Sequence, residues 1–347
     1  MIPIIKPWLG EAEADAAREA ILSGWVAQGP RVARFEAAVA ARVGAAAGVA
    51  VSSATAGLHL ALVAANIGPG DEVIAPSLSF IATANAIHHA GATAVFADVE
   101  AATPNVSAQT LAAALTPQTR AVLVVHQLGV PCHLKEISEF CRQRGLALIE
   151  DAACAIGSTV AGRPVGGHGH LTVFSFHPRK LLTTGEGGLI VCQDAGLAAR
   201  LRRLRQHAMD QSDVARHGAR EFVFERYLEV AWNYRMTDVQ AAIGLVQLGR
   251  LERLLLRRRG QAARYRRELA DVSALRMASD PPHGSNNYQT FWIRLNQGGR
   301  AARDAALVAL NDASIGARRA IMAAHLEPAW SDHGHGPLPE TEAWAAE

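Results

Sequence analysis

A single lysine stands between an aromatic, apolar run and a glycine-rich turn in FSFHPRKLLTTGEGG, Phe174 to Gly188. Of the chain's 34 basic residues only three, Lys6, Lys135 and Lys180, are lysine. Lys180 is therefore either a chance survivor or a position that needs a primary amine, able to lose its proton and attack a carbonyl as a guanidinium cannot. Upstream, LALIEDAACAIGS closes an apolar run with two adjacent acids, Glu150 and Asp151. Side chains alternate along a strand, so at most one of the pair faces a ligand, while the other points to the opposite face or caps the next helix. A buried acid needs a cationic partner to offset its desolvation.

Two further stretches complete the set. GVAVSS leads into SATAGLHLALVAA, where the small residues Ser53, Ala54, Thr55 and Ala56 open a helix; exposed amides and the positive dipole end make this either a phosphate cradle or a plain N-cap. After DEVIAPS, Phe80 stands where an aromatic can stack on a flat ligand or simply pack. In TTGEGG the glycines let the chain turn close to a ligand, and a shielded Lys180 beside it would lose part of its preference for the charged form. Phosphate cradle, aromatic, buried acid and post-strand lysine, in that order, match what pyridoxal phosphate requires, with its protonated ring nitrogen as the acid's partner. No GxGxxG follows the first strand and no GxxxxGK[ST] occurs, which disfavours a dinucleotide or P-loop site.

The elements that must position these residues are legible as alternating apolar runs and helical stretches. GVAVSS, DEVIAPS, TAVFADV, RAVLVVH, LALIEDA, LTVFSF and GLIVCQ read as strands, with helices between them over 54–65, 80–89, 107–115 and 133–144. This is the pattern of a mostly parallel α/β sheet wrapped by helices, whose ligands sit at the carboxyl ends of strands. A long helix from Thr237 to Glu268 follows, with an interruption expected near Gly260; within it RLERLLLRRR reads as a leucine stripe with a solvated charged face. SDPPHGSNNYQ then reads as a crossover into a small α+β domain containing TFWIRL and ARDAALVALNDASIGAR. The boundaries expected are 1–250 for a large domain with an N-terminal arm and 251–347 for the smaller one. At 347 residues and 50% hydrophobic content the chain can fill such cores, and 34 basic against 32 acidic residues disfavour a nucleic-acid or membrane-surface partner. No apolar run reaches membrane-span length and the N-terminus is acidic, so a cytoplasmic protein is expected. Its cysteines (Cys132, Cys141, Cys154 and Cys192) are expected to be reduced, since no CxxC pairing occurs. The tail histidines, His333 and His335, read as a solvated loop without a metal ligand set. The segment 207–230 is either a substrate-facing loop or a surface excursion.

Together, SSATAGLHLAL, APSLSFIATANAI, IEDAACAIGS, FSFHPRKLLTTGEGGLIV and NYRMTDVQAAIGLVQL resemble the DegT/StrS group of pyridoxal-phosphate-dependent nucleotide-sugar aminotransferases, from about Ile4 to Thr341. The resemblance implies fold type I, the aspartate-aminotransferase-like fold, in a homodimer whose sites lie at the subunit interface. It implies that Lys180 forms the internal aldimine, that Asp151 pairs with the pyridinium nitrogen, and that Phe80 stacks on the ring. Ser53, Ala54, Thr55 and Ser175 would hold the phosphate, and Asn233 would reach the neighbouring subunit's phosphate. Amino-acid and nucleotide-sugar substrates follow, with glutamate as the donor; His177 and His325 are the candidate substrate contacts. Cys154 departs from the His, Gln or Glu usual in the group at a position that often touches the ring hydroxyl. The chain also stops where relatives continue into a final strand and helix, so the small domain reads as truncated. Two other functions fit the same scaffold: a sugar dehydratase, in which the lysine is typically replaced by histidine, and a cofactor-binding regulatory protein without transaminase activity.

Overall fold

All seven apolar runs form strands of one sheet: β1 (Ala47–Val51), β2 (Glu72–Pro76), β3 (Thr93–Ala97), β4 (Thr119–Val125), β5 (Ala147–Asp151), β6 (Leu171–Ser175) and β7 (Gly188–Cys192). The computed structural model describes residues 1–211 and 224–347. Across the sheet the order is β1-β7-β6-β5-β4-β2-β3. Only β7 runs against its neighbours, β1 and β6. The remaining pairs are parallel. Strands buried on both faces read as unbroken apolar runs, and pleating divides them between two cores. In β5, for example, Leu148 belongs to one apolar cluster and Ile149 to the other.

Helices α1 (Glu11–Leu22), α2 (Pro30–Val43), α3 (Ala54–Ala64), α4 (Ala82–His89), α5 (Ala108–Ala113), α6 (Leu134–Arg144) and α7 (Ala195–Leu204) accompany the sheet. α2 starts at a glycine that has no side chain to cap it. Buried Asp238 supplies the cap, accepting the N–H groups of Arg31 and Val32 at 3.0 and 2.9 Å. Asp238 opens α8 (Asp238–Gly249), which is followed by α9 (Leu251–Glu268). The break therefore lies at Arg250 and not near Gly260, which sits in the interior of α9. Arg250 separates the two helices with φ at −98° and ψ at −2°, and its guanidinium pairs with Glu13 of α1 at 2.7 Å. Gly260 meets open space, where a glycine costs a helix only about 1 kcal/mol relative to alanine. The leucine stripe behaves as expected: Leu251 and Leu255 are buried and Leu256 is exposed.

Beyond α9, β8 (Leu275–Met277) pairs antiparallel with β9 (Ile293–Leu295), and α10 (Gly299–Asp312) and α11 (Pro339–Ala346) follow. This C-terminal part is tied back to the large sheet. Asp98, just past β3, accepts the N–H groups of Glu340 and Thr341 at 3.1 and 2.7 Å, and Trp344 donates its indole N–H to Glu100 O at 3.0 Å. A strap over residues 322–325 lies along the end of β2: Leu78 and Ala323 form an antiparallel bridge, and the N–H of Ala324 donates to Ser77 O at 2.7 Å. The four cysteines are free. Of the segment 207–230, the flanks pair through Met209 and Tyr227, while residues 212–223 lie outside the described residues. Among the described residues no helix is long and apolar enough to cross a membrane.

Candidate active site

The site grows from the carboxyl ends of the central strands. At the end of β5 the two acids separate as the pleat requires. Glu150 turns to one face and is buried between His126 Nε2 at 2.9 Å and His170 Nδ1 at 2.8 Å. Burial alone would push its carboxyl up, but the hydrogen bonds and charges of His126 and His170 hold it at about 2. The N–H of Cys132 donates to His126 Nδ1 at 3.0 Å, which leaves the Nε2–H to point at Glu150.

Asp151 turns to the other face. Its Oδ1 accepts the N–H of Ala153 at 3.0 Å and its Oδ2 accepts the hydroxyl of Thr83 at 3.0 Å. Burial pushes this carboxyl above the ordinary range, against the pull of the Ala153 N–H, the Lys180 charge and the Thr83 hydroxyl. A cation beside such a group favours its ionised form.

Lys180 follows β6 by a short turn, in which its N–H donates to His177 O at 2.8 Å. Its Nζ lies 3.0 Å from Cys154 Sγ, on the segment that leaves β5. Cys154 is held there from behind: Asn287 Nδ2 donates to Cys154 O and Ile156 O at 2.9 and 2.8 Å. His177 is part-buried, with Nδ1 accepting the Arg179 N–H at 3.1 Å and Nε2 3.8 Å from Glu186.

One strand over, Ser175 stands opposite Gly188, and Gly188 stands opposite Val51 at the end of β1. A Cβ on Gly188 would lie 2.6 Å from the Ser53 carbonyl and from Ala54 N, so only glycine lets β7 start against the opening of α3. Ser53 caps that helix, its Oγ accepting the Ala56 N–H at 3.1 Å. The N-cap is thus real. A helix leaves its first amides without intrahelical partners, here those of Ala54 and Thr55 beyond the one Ser53 satisfies.

Phe80, just before α4, does not pack: 65% of it is exposed. Asn233 is also exposed, on a segment that bonds to the end of β1 through the Ser52 N–H to Tyr234 O at 2.8 Å. His325 is placed differently. It is 3% exposed, its Nδ1 lies 2.6 Å from Ser77 Oγ, and its own N–H donates to that oxygen at 3.1 Å. It acts as a strut between the strap and the end of β2.

The structure thus brings Lys180, Cys154, Asp151, Ser175 and the Ser53–Thr55 turn to one edge of the sheet. Sequence reasoning missed Thr83, the His126 and His170 partners of Glu150, and the close approach at Gly188. Thr83, in the first turn of α4, carries no signal of its own in the sequence, because the acid it meets comes from β5.

A mostly parallel sheet with a post-strand lysine, a buried acid and a glycine-backed helix N-terminus defines a fold type I transferase. The chain belongs to the DegT/DnrJ/EryC1/StrS aminotransferase family, whose model matches residues 7–347. It is similar to the aminotransferase TlmJ from Streptoalloteichus hindustanus, at 40% identity and a TM-score of 0.90, over 100% of this chain and 91% of that one. Spr1654 from Streptococcus pneumoniae, solved in its PLP form, shares 27% identity at a TM-score of 0.92, over 99% of this chain and 91% of that one. DesI, solved in the presence of its TDP-sugar product, shares 35% identity at a TM-score of 0.88, over 100% of this chain and 86% of that one.

Proposed function

We propose that this chain is a pyridoxal-phosphate-dependent aminotransferase that moves an amino group from an amino acid, glutamate in our reading, to a keto sugar carried on a nucleoside diphosphate. One observation carries the reading: Lys180, Asp151 and the glycine-backed opening of α3 converge on one edge of the sheet. The TDP-sugar product of DesI supports the substrate class.

The residues fit the cofactor. The amides of Ala54 and Thr55, with Ser53 and Ser175 beside them, suit a phosphate at a helix N-terminus, and Gly188 lets β7 pass close against that opening. Asp151, raised by burial, suits a protonated ring nitrogen and would keep it protonated. The free face of Phe80 is available for stacking on a ring. Cys154, whose Sγ lies 3.0 Å from Lys180 Nζ, would stand beside whatever Lys180 holds. Bound pyridoxal phosphate supplies an electron sink for the substrate's α-carbon.

Lys180 would hold the cofactor through its amine and, as a free amine, would hold and move the proton taken from the donor's α-carbon. His177, at the rim beside Glu186, is the substrate contact we favour over His325, whose nitrogen and N–H are engaged by Ser77. Exposed Asn233 follows Tyr227 and Val230 in the chain, which are 63% and 92% exposed; a second copy of the chain covering this surface would bring Asn233 to its partner's phosphate.

Purified protein incubated with pyridoxal phosphate is expected to gain an absorbance band near the visible edge, and L-glutamate is expected to convert it to the pyridoxamine form. A band that survives Lys180→Arg unchanged would sink covalent attachment at this residue. A band that ignores every amino acid would identify a binder and not a transaminase.

A further inference from the structure

Asp151 is held by more than its own strand. Thr83 is 1% exposed and Ser79 is 2% exposed, and their hydroxyl oxygens lie 2.7 Å apart. An ionised carboxylate only accepts, so the single Thr83 hydroxyl proton points to Asp151 Oδ2. The Thr83 oxygen must then accept from Ser79, and the two hydroxyls form a chain with one direction, Ser79 to Thr83 to Asp151. Ser79 is fixed in turn, because its N–H donates to Met322 O at 3.1 Å, next to the Leu78–Ala323 bridge of the strap. The other groups that face Asp151 are the Ala153 N–H, the Lys180 ammonium and the imidazole of His126. With Oδ1 on Ala153 and Oδ2 on Thr83, the carboxylate cannot swing about its terminal torsion without breaking a buried hydrogen bond.

We propose that Thr83, backed by Ser79, is a positioning residue that orients Asp151 toward the cofactor's ring nitrogen and favours its ionised form, and that the strap over residues 322–325 fixes this pair through Ser79. The proposal rests on the reading of Asp151 as the partner of that nitrogen. Thr83→Val keeps the shape of the side chain, removes the donor to Asp151 and leaves the Ser79 hydroxyl without its acceptor. Thr83→Ser keeps the donor.

The test is titration of the cofactor-free protein with pyridoxal phosphate, followed by absorbance and tryptophan fluorescence across a pH series. Thr83→Val is expected to weaken binding by about tenfold, the scale of one hydrogen bond to a charged group. Because loss of the donor favours the protonated acid, the acid limb of binding should move to higher pH. Thr83→Ser should restore both, and Ser79→Ala should shift both in the same direction by less. In an Asp151→Asn background, Thr83→Val should add no further loss of affinity. A packing role alone would lower thermal stability, leave the acid limb in place and persist in the Asp151→Asn background, and any of these results in the binding data would overturn the proposal. Should Thr83→Val not fold, an unchanged acid limb in Ser79→Ala overturns it equally. Wild-type protein that gains no absorbance band at all would instead overturn the cofactor reading beneath it.

Discussion

Glu150 and Asp151, neighbours in the chain, are opposite in electrostatic character. Glu150 is saturated by two histidines on one face of the sheet and held at about 2. Asp151 on the other face accepts hydrogen bonds only from the neutral Ala153 N–H and Thr83 hydroxyl, and burial holds it above the ordinary range. The first has both oxygens hydrogen-bonded from within the chain; the second is open to a cation from outside. Removing the charge of Glu150 should therefore damage stability more than cofactor binding. Glu150→Gln is expected to lower the unfolding free energy by about 3 kcal/mol, the scale for breaking one side of a buried pair. Denaturant melts of wild type and variant check it. Because the folded carboxyl titrates below its unfolded counterpart, the wild-type advantage should be full above about pH 5 and shrink as the pH falls toward 2.

Gly188→Ala should empty the cradle. The new methyl would lie 2.6 Å from Ser53 and Ala54 backbone atoms, which cannot yield without moving the start of α3. A destabilisation of about 1–3 kcal/mol is expected from the overpacking. Loss of pyridoxal phosphate affinity should accompany it, measured by equilibrium titration.

Lys180→Ala should cost at least about 10²–10⁴-fold in turnover, the usual share of a positioned proton carrier. Single-turnover mixing of the pyridoxal-phosphate-loaded variant with glutamate measures it. Partial recovery with added small primary amines would separate loss of the proton carrier from loss of the fold.

His59 predicts a separate pH response. This α3 side chain is buried against Trp232 and Tyr234, and burial first, then the charge of His89, lowers it to about 4. The unfolded imidazole binds its proton near pH 6.5, so the neutral buried form favours folding above that value, and the advantage is lost as the pH falls from 6.5 through 4. His59→Phe should flatten this part of the profile, recorded as thermal midpoint against pH.

Most of the sheet was legible because its strands are buried on both faces and therefore spelled as uninterrupted Val, Ile, Leu and Ala. The separation of Glu150 from Asp151 followed from pleating alone. The α8–α9 break was misplaced because a glycine is visible in a sequence, whereas the contacts that hold Arg250 to Trp8 and Glu13 come from the other end of the chain. Thr83 escaped for a similar reason. A threonine in a helix is unremarkable until β5 brings an acid to its hydroxyl. Cys154 was placed only by resemblance, and the 3.0 Å approach of Lys180 is what gives that position physical content. His325 read as a substrate contact because its segment is familiar, yet its bonds to Ser77 are invisible without the bridge between strap and sheet.

That bridge also bears on how the molecule comes to fold. Ser77 and His325 are separated by 248 residues of chain, so closing this contact confines a very long loop. Distant closures of this kind come late and slow folding, whereas Lys180, Cys154 and Asp151 lie close together in sequence and can assemble early. A refolding experiment should therefore find the amine and the acid in place before Ser79 and Thr83 are anchored, with tight capture of pyridoxal phosphate as the last phase to appear.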